Sequence, residues 1–281
     1  MRIVSWNCGG TLYGGFTVEK FNEMLRFNPD ILLIQECTKN EFDLVNDTNV
    51  WSFSFDLGLS AGIYRNSEHY WYGDNNEKND KGLAIFSTKK GVLRYQIELI
   101  ANFNKNYINV VPYKIINDKI IDDIDLLLGI KRELIILSIW TQLLSDGSQN
   151  NNKTIFDALD YYNFDVPIIL AGDFNTGSNS ENVHLYEELK TKIEKYGLKN
   201  CAENTEFEYE PTFYHDKTNK YFTNDFCFIP KSLNVYEYRV DKMNNHKNWK
   251  DLSNHCPIIS EFGETSYYKL SSKLEAVRKS V

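Results

Sequence analysis

Ala171-Gly172-Asp173-Phe174-Asn175-Thr176, preceded by the apolar run Val166-Pro167-Ile168-Ile169-Leu170, is the stretch on which the reading of this chain turns. A buried strand that abruptly delivers an Asp and an Asn two residues apart places hard oxygen donors at the end of a sheet. Side chains alternate along a strand, so Asp173 and Asn175 are expected on one face, with Phe174 turned back into the core. Paired oxygen donors on a rigid strand end suit Mg²⁺ and a phosphate ester. Taken alone, the same residues also suit an ordinary turn after a strand.

Other parts of the chain repeat the pattern. Met1-Arg2-Ile3-Val4-Ser5-Trp6-Asn7 reads as a strand ending in Asn, and Ile31-Leu32-Leu33-Ile34-Gln35-Glu36 as a strand ending in Glu. Further along come Thr223-Asn224-Asp225-Phe226-Cys227-Phe228 and Leu252-Ser253-Asn254-His255-Cys256-Pro257. Polar residues of ligand type at so many strand ends are costly to bury unless they converge on a cation and a substrate.

Asn7, Gln35-Glu36, Gly172-Asp173-Phe174-Asn175, Asp225 and Ser253-Asn254-His255, in this order, resemble the signature of the endonuclease/exonuclease/phosphatase superfamily. The resemblance runs from Met1 to about residue 262 and is specific to the superfamily rather than to a member. It implies a four-layer αββα sandwich, an α/β fold of two packed mixed sheets with helices outside. It also implies a metal-dependent phosphoesterase using Mg²⁺ or Mn²⁺. Glu36 is the expected metal ligand, with Asn7 touching the ion or fixing Glu36. Asp173 and Asn175 are expected to orient the attacking water and contact the phosphate or a second metal. His255 is expected to stabilise the phosphate's charge or move a proton, with Asp225 accepting from its ring and fixing the tautomer.

Two positions depart from the family pattern. Asn254 stands where the family usually has an Asp that binds metal; the amide keeps the shape and loses the charge. Trp140, in Leu137-Ser138-Ile139-Trp140-Thr141, lies near the place where deoxyribonucleases and abasic-site enzymes have a His or Tyr. Indole offers one N–H and cannot shuttle protons, so Trp140 is read either as a stacking surface for a base or as a core residue. Lys81, entering a strand at Leu83, is a candidate cation for the substrate phosphate.

The composition narrows the class. The chain has 281 residues, 31 basic against 39 acidic, and a net charge of −8, which argues against a bulk electrostatic binder of nucleic acid. Enzymes acting on phosphates remain open, because a bound divalent ion supplies the local positive field. Aromatic residues make up 14% of the chain, as base stacking would need, but the accompanying excess of Asn, Lys and Ile points to an AT-rich genome. Five cysteines without Cys-x-x-Cys or zinc spacing argue against a disulfide or zinc framework; Cys8, Cys37 and Cys256 each follow a site residue and are expected to face the core. Neither a signal peptide nor a span of apolar residues long enough for a membrane is expected, so a cytoplasmic protein without membrane contact follows.

The ligand-type residues run from position 7 to 255, so a shared site requires one domain, taken as residues 1–263, followed by a tail over 264–281. Helices are predicted over 18–27 (N-cap Thr17), 153–162 and 181–196 (stopped by Gly197), and a basic amphipathic one over 267–280. Strands are predicted over 31–36, 51–55, 62–65, 69–72, 83–87, 92–99, 107–114, 134–141, 222–229, 235–240 and 257–262. The leading function is a Mg²⁺-dependent phosphodiesterase cutting DNA or RNA. The alternatives are a small-molecule or lipid phosphoesterase, of the inositol phosphate phosphatase or sphingomyelinase kind, and a catalytically impaired nucleic-acid-binding homologue. Oligomeric state is not readable from the sequence.

Overall fold

The computed structural model describes residues 1–47, 63–66, 69–73, 81–87, 95–99, 110–117, 133–141, 151–162, 167–177, 183–244, 247–248 and 251–263. In chain order the strands are β1 (Arg2–Asn7), β2 (Ile31–Thr38), β3 (Ile63–Asn66), β4 (His69–Gly73), β5 (Lys81–Ser87), β6 (Tyr95–Leu99), β7 (Val110–Asn117), β8 (Glu133–Trp140) and β9 (Ile168–Asp173). They continue with β10 (Leu198–Asn200), β11 (Phe213–His215), β12 (Lys220–Phe222), β13 (Asp225–Pro230), β14 (Asn234–Val240), β15 (Met243–Asn244), β16 (Lys247–Asn248) and β17 (Ile258–Gly263). The helices are α1 (Val18–Leu25), α2 (Lys39–Asp47), α3 (Asn151–Tyr162) and α4 (Val183–Lys195).

Seven strands form one sheet in the order β14-β17-β1-β2-β5-β4-β3, and six form a second in the order β10-β13-β9-β8-β7-β6. Each sheet is antiparallel except for one central parallel pair, β1 with β2 and β8 with β9. Three apolar layers hold the chain together. Ile3, Ile31, Leu33, Leu83 and Ile85 of the first sheet pack between the sheets against Ile136, Ile169, Ala171, Cys227 and Ile229 of the second. Val4, Trp6, Leu32 and Ile34 face the other way, onto Phe21 and Met24 of α1 and Phe42 and Val45 of α2. Leu137, Ile139, Leu170, Phe226 and Phe228 meet Ile155, Leu159, Leu189 and Ile193 of α3 and α4. The architecture is the αββα sandwich that the motifs implied.

Alternation positions the site. On β1 the odd residues face the seam between the sheets, so Asn7 at its end does too. On β9 and β13 the odd residues also face the seam, which carries Asp173 and Asp225 inward; the two are register partners on adjacent strands. Several sheet ends therefore deliver polar groups to one end of one seam.

Most expected elements are present, with boundaries moved. Thr17 caps α1, its hydroxyl accepting from the Lys20 amide at 3.2 Å, but the helix stops at Leu25, where Asn28 turns left-handed (φ 54°). Gly197 closes α4 in the same left-handed conformation (φ 76°). Helix α2 was not expected, although Thr38-Lys39-Asn40-Glu41 is a capping box. The Glu41 carboxylate accepts from the Thr38 amide (2.8 Å), and the Thr38 hydroxyl accepts from the Glu41 amide (3.2 Å). Lys81 is the first residue of β5 and not a loop residue. The strand over 51–55 and the helix over 267–280 lie outside the described residues.

Gly172 sits opposite Ile139 in the parallel pair, where there is no space for a side chain. Its φ is +145°, and a Cβ there would fall 2.0 Å from the Ile139 carbonyl oxygen, a backbone atom that cannot move aside. Gly172→Ala is expected to lower stability by roughly 3 kcal/mol or more, since it combines strain with overpacking. Urea unfolding checks this; an unchanged midpoint contradicts it.

Candidate active site

Asn7 is the hub. Its side-chain Nδ2 donates to Glu36 Oε1 (3.2 Å), from the neighbouring strand of its own sheet, and to Asp173 Oδ2 (2.9 Å), from the opposite sheet. Its Oδ1 accepts from the Gly9 amide (3.0 Å), which fixes which way the amide points. Its main-chain oxygen accepts from the Ser253 hydroxyl (2.7 Å), and that hydroxyl accepts in turn from the His255 amide (3.0 Å). One residue thus touches three of the segments that the sequence singled out.

Strict alternation would turn Glu36 toward the helices, because Leu32 and Ile34 point there. A bulge prevents this. The β2–β5 register shifts between Gln35 and Cys37, and Glu36 takes φ +60°, so its carboxylate swings to the site while Cys37 takes the helix-side position. Glu36 Oε2 accepts from Lys81 Nζ at 2.5 Å. The chain after β1 closes over this pair with glycine: a Cβ on Gly10 (φ +53°) would lie 2.6 Å from Lys81 Nζ and 3.0 Å from Glu36 Oε2.

On the other side, His255 Nδ1 lies 2.9 Å from Asp225 Oδ2, and Nε2 lies 3.8 Å from Asp173 Oδ2. All three residues are buried, and their donor atoms lie within 4.8 Å of one another, a spacing that a metal ion can also use. Asp225 Oδ1 has no hydrogen-bond partner among the described residues. Burial by itself would depress the imidazole, but the charges of Asp225 and Asp173 outweigh it and hold His255 at about 9. Burial likewise pushes the Asp173 carboxyl up to about 7, against the pull of the His255 charge. At neutral pH the ring is an imidazolium with Nδ1–H committed to Asp225 and Nε2–H aimed toward Asp173.

Asn175 leaves the strand path. It is left-handed (φ 46°), its amide donates to Asp173 Oδ1 (2.9 Å), and its Nδ2 donates to Asp173 Oδ2 (3.1 Å) and the Thr141 carbonyl (2.5 Å). Asp173 and Asn175 therefore meet as expected, through a turn and not through continued alternation. Phe174 is fully buried in the helix-side layer, as expected. Asn254 is half-buried between Ser253 and His255, and its main-chain oxygen accepts from the Tyr214 amide (2.7 Å). Trp140 is 8% exposed and packs between the sheets beside Asp173, its register partner, so little of its ring is open to a base.

The structure adds residues that the motifs did not single out. The Thr212 hydroxyl accepts from the amides of Asn224 (3.0 Å) and Asp225 (3.1 Å), setting the start of β13. The Phe213 ring lies 4.6 Å from the His255 ring, and the two residues share a β-bridge. Behind Phe213 the β11–β12 hairpin carries Tyr214 and Tyr221, the latter 52% exposed. The only local trace in the sequence is the pair of aromatic doublets, Phe213-Tyr214 and Tyr221-Phe222.

The Endonuclease/Exonuclease/phosphatase family model matches residues 4–242, and the chain belongs to that family. No curated protein matches the sequence. Among solved structures, the fold is similar to that of humanized D. rerio TDP2, with a TM-score of 0.61 at 15% identity, covering 94% of this chain and 98% of that one. It is similar to the endonuclease domain of TRAS1, a telomere-specific non-LTR retrotransposon, with a TM-score of 0.58 at 16% identity over 94% and 97% of the two chains. A conserved protein of unknown function from Enterococcus faecalis V583 gives 0.58 at 11% identity over 94% and 100%.

The proton held by His255 makes stability depend on pH. Its folded value of about 9 lies above the ordinary 6.5, so the folded state binds more protons than the unfolded chain between those limits. The contribution is complete below pH 6.5 and is lost as pH rises through about 9. In chelator, the melting temperature is expected to fall across that window, and to fall less steeply in His255→Asn. Equal slopes for the two proteins contradict the assignment.

Proposed function

We propose that this protein is a divalent-metal-dependent phosphodiesterase that hydrolyses nucleic acid, with residues 1–263 as the catalytic unit. The observation that carries this reading is the amide of Asn7, which joins a carboxylate suited to a cation to the buried Asp173–His255–Asp225 group. The residues present fit a hard ion at Glu36. The donor is a carboxylate held from one side by Asn7, glycine backbone lines the site, and the Lys81 ammonium already occupies a cation's place against Oε2. Glu36, steadied by Asn7 and joined by Asn254, would hold Mg²⁺ or Mn²⁺, which would supply positive charge against the phosphate and leaving oxygens.

The chain's own groups divide the remaining work. His255, held as an imidazolium by Asp225, donates from Nε2 to a non-bridging phosphate oxygen; at 3.8 Å, Asp173 lies beyond hydrogen-bond distance and does not take that hydrogen. Asp173, raised to about 7, is matched to accept the proton of an attacking water near neutral pH. Asn175 and Asn7 fix the Asp173 oxygens by donating to them, so the carboxylate is oriented before the substrate arrives.

Nucleic acid is favoured over an inositol phosphate or lipid by the half-buried Phe213 ring beside His255, an aromatic surface for a base next to the phosphate site. The endonuclease among the structural neighbours agrees with this. A purely binding homologue is disfavoured because Glu36, Asp173, Asn175, Asp225 and His255 are all held in one hydrogen-bonded site. No helix among the described residues is long and apolar enough to cross a membrane. All five cysteines are free, which suits the cytoplasm.

The test is cleavage of labelled single- and double-stranded DNA, RNA and a phosphatase panel, with Mg²⁺ or with chelator. Glu36→Ala and His255→Ala are each expected to lose activity on the order of 100-fold or more. Cleavage that survives chelation sinks the metal reading. Asn254→Asp, which restores a carboxylate, is expected to raise Mg²⁺-dependent turnover roughly tenfold. Equal rates for the two forms show that position 254 is no ligand.

A further inference from the structure

Lys81 has a placement that a plain surface ion pair does not need. Its strand position is fixed by pairing opposite Thr38, two residues past the bulge that aims Glu36 at the site. Its ammonium rests against Glu36 Oε2 at 2.5 Å, and its terminal carbon and nitrogen lie where a side chain on Gly10 would have to go. The side chains of Lys81 and Glu36 are 29% and 21% exposed, so water reaches the pair and it can part. Glu36 Oε1 is taken by Asn7, which leaves Oε2, the oxygen under the ammonium, as the one that an incoming ion would contest.

We propose that Lys81 is the built-in counter-ion of Glu36, which a divalent cation displaces, and that the freed ammonium then binds an oxygen of the substrate phosphate. This inference rests on the function proposed above. A doubly charged ion on Glu36 turns the attraction for Lys81 into repulsion. The displaced head is tethered by a four-carbon stem at the mouth of the site, where an anionic substrate arrives. Lys81 therefore weakens binding of the ion and tightens binding of the phosphate, and it links the two events. A similar logic bears on Asn254: an amide there lowers the negative charge of the site, and Lys81 lowers it further, so the ion is retained weakly until a phosphate joins it.

The test measures Mn²⁺ binding to the full chain, by calorimetry and by loss of the free Mn²⁺ electron-spin resonance signal, for the wild type, Lys81→Met, Lys81→Gln, Lys81→Arg and Glu36→Gln. Both neutral variants are expected to bind Mn²⁺ on the order of tenfold more tightly than the wild type, and Lys81→Arg about as the wild type does. At saturating Mn²⁺, the neutral variants are expected to bind thymidine 5′-monophosphate several-fold more weakly. Mn²⁺ affinity that is lost in Glu36→Gln yet equal in the wild type, Lys81→Met and Lys81→Gln overturns the role of Lys81 and leaves the proposed function standing. Mn²⁺ binding that is absent throughout, or indifferent to Glu36→Gln, overturns the proposed function and this inference with it.

Discussion

The side-chain amide of Asn7 spans the seam between the two sheets, one N–H toward Glu36 and the other toward Asp173. Two buried or half-buried carboxylates repel each other and lose hydration, so neither would stay without a donor between them. The neutral amide satisfies both without adding a charge, and its oxygen is held by the Gly9 amide so that it cannot turn over. The loop after β1 is fastened from below by Lys20. That side chain is 3% exposed and donates to the carbonyls of Tyr13 (2.8 Å) and Cys8 (3.3 Å), with its ammonium 5.6 Å from the centre of the Trp6 ring. Burial lowers the Lys20 pKa. A buried lysine thus holds the chain on either side of the glycines that line the Glu36 pocket.

The site has two electrostatic halves. Around His255, a protonated imidazole is set between two carboxylates, all away from water. Around Glu36, the charge is balanced from outside the core, by Lys81 across a partly wet contact. The first half is closed to water, while the second is partly open to it. This asymmetry is why the proposed function puts the cation at Glu36 and not in the Asp173, Asp225 and His255 cluster. An ion placed in that cluster would have to expel a proton that two carboxylates hold to about pH 9.

Much of the site was legible because strand alternation is a strong rule. Asp173 and Asp225 each end or begin a strand whose other residues of the same parity are apolar, and Asn7 ends one whose inward residues are Ile3 and the small Ser5, so alternation turns all three toward the seam. Glu36 was legible as a ligand type but not in its orientation, since a one-residue bulge reverses the face and leaves no mark in the hydrophobic pattern. Asn175 reached its expected neighbour by a left-handed turn, which the Gly-Asp-Phe-Asn sequence permits without requiring. The β10, β11 and β12 strands, three residues each, carry too little periodicity to be read, and with them the support of Phe213 and Thr212 for His255 was hidden. The pairing of Lys81 with Glu36 depends on β5 lying beside β2, a register that no local signal contains.

A crystal soaked in Mn²⁺ and examined by anomalous scattering locates the ion directly. One strong peak is expected within coordination distance of the Glu36 carboxylate, with the Lys81 ammonium moved off Oε2 and the His255–Asp225 hydrogen bond intact. A peak seated instead among Asp173, Asp225 and His255, with Glu36 still paired to Lys81, would contradict that placement.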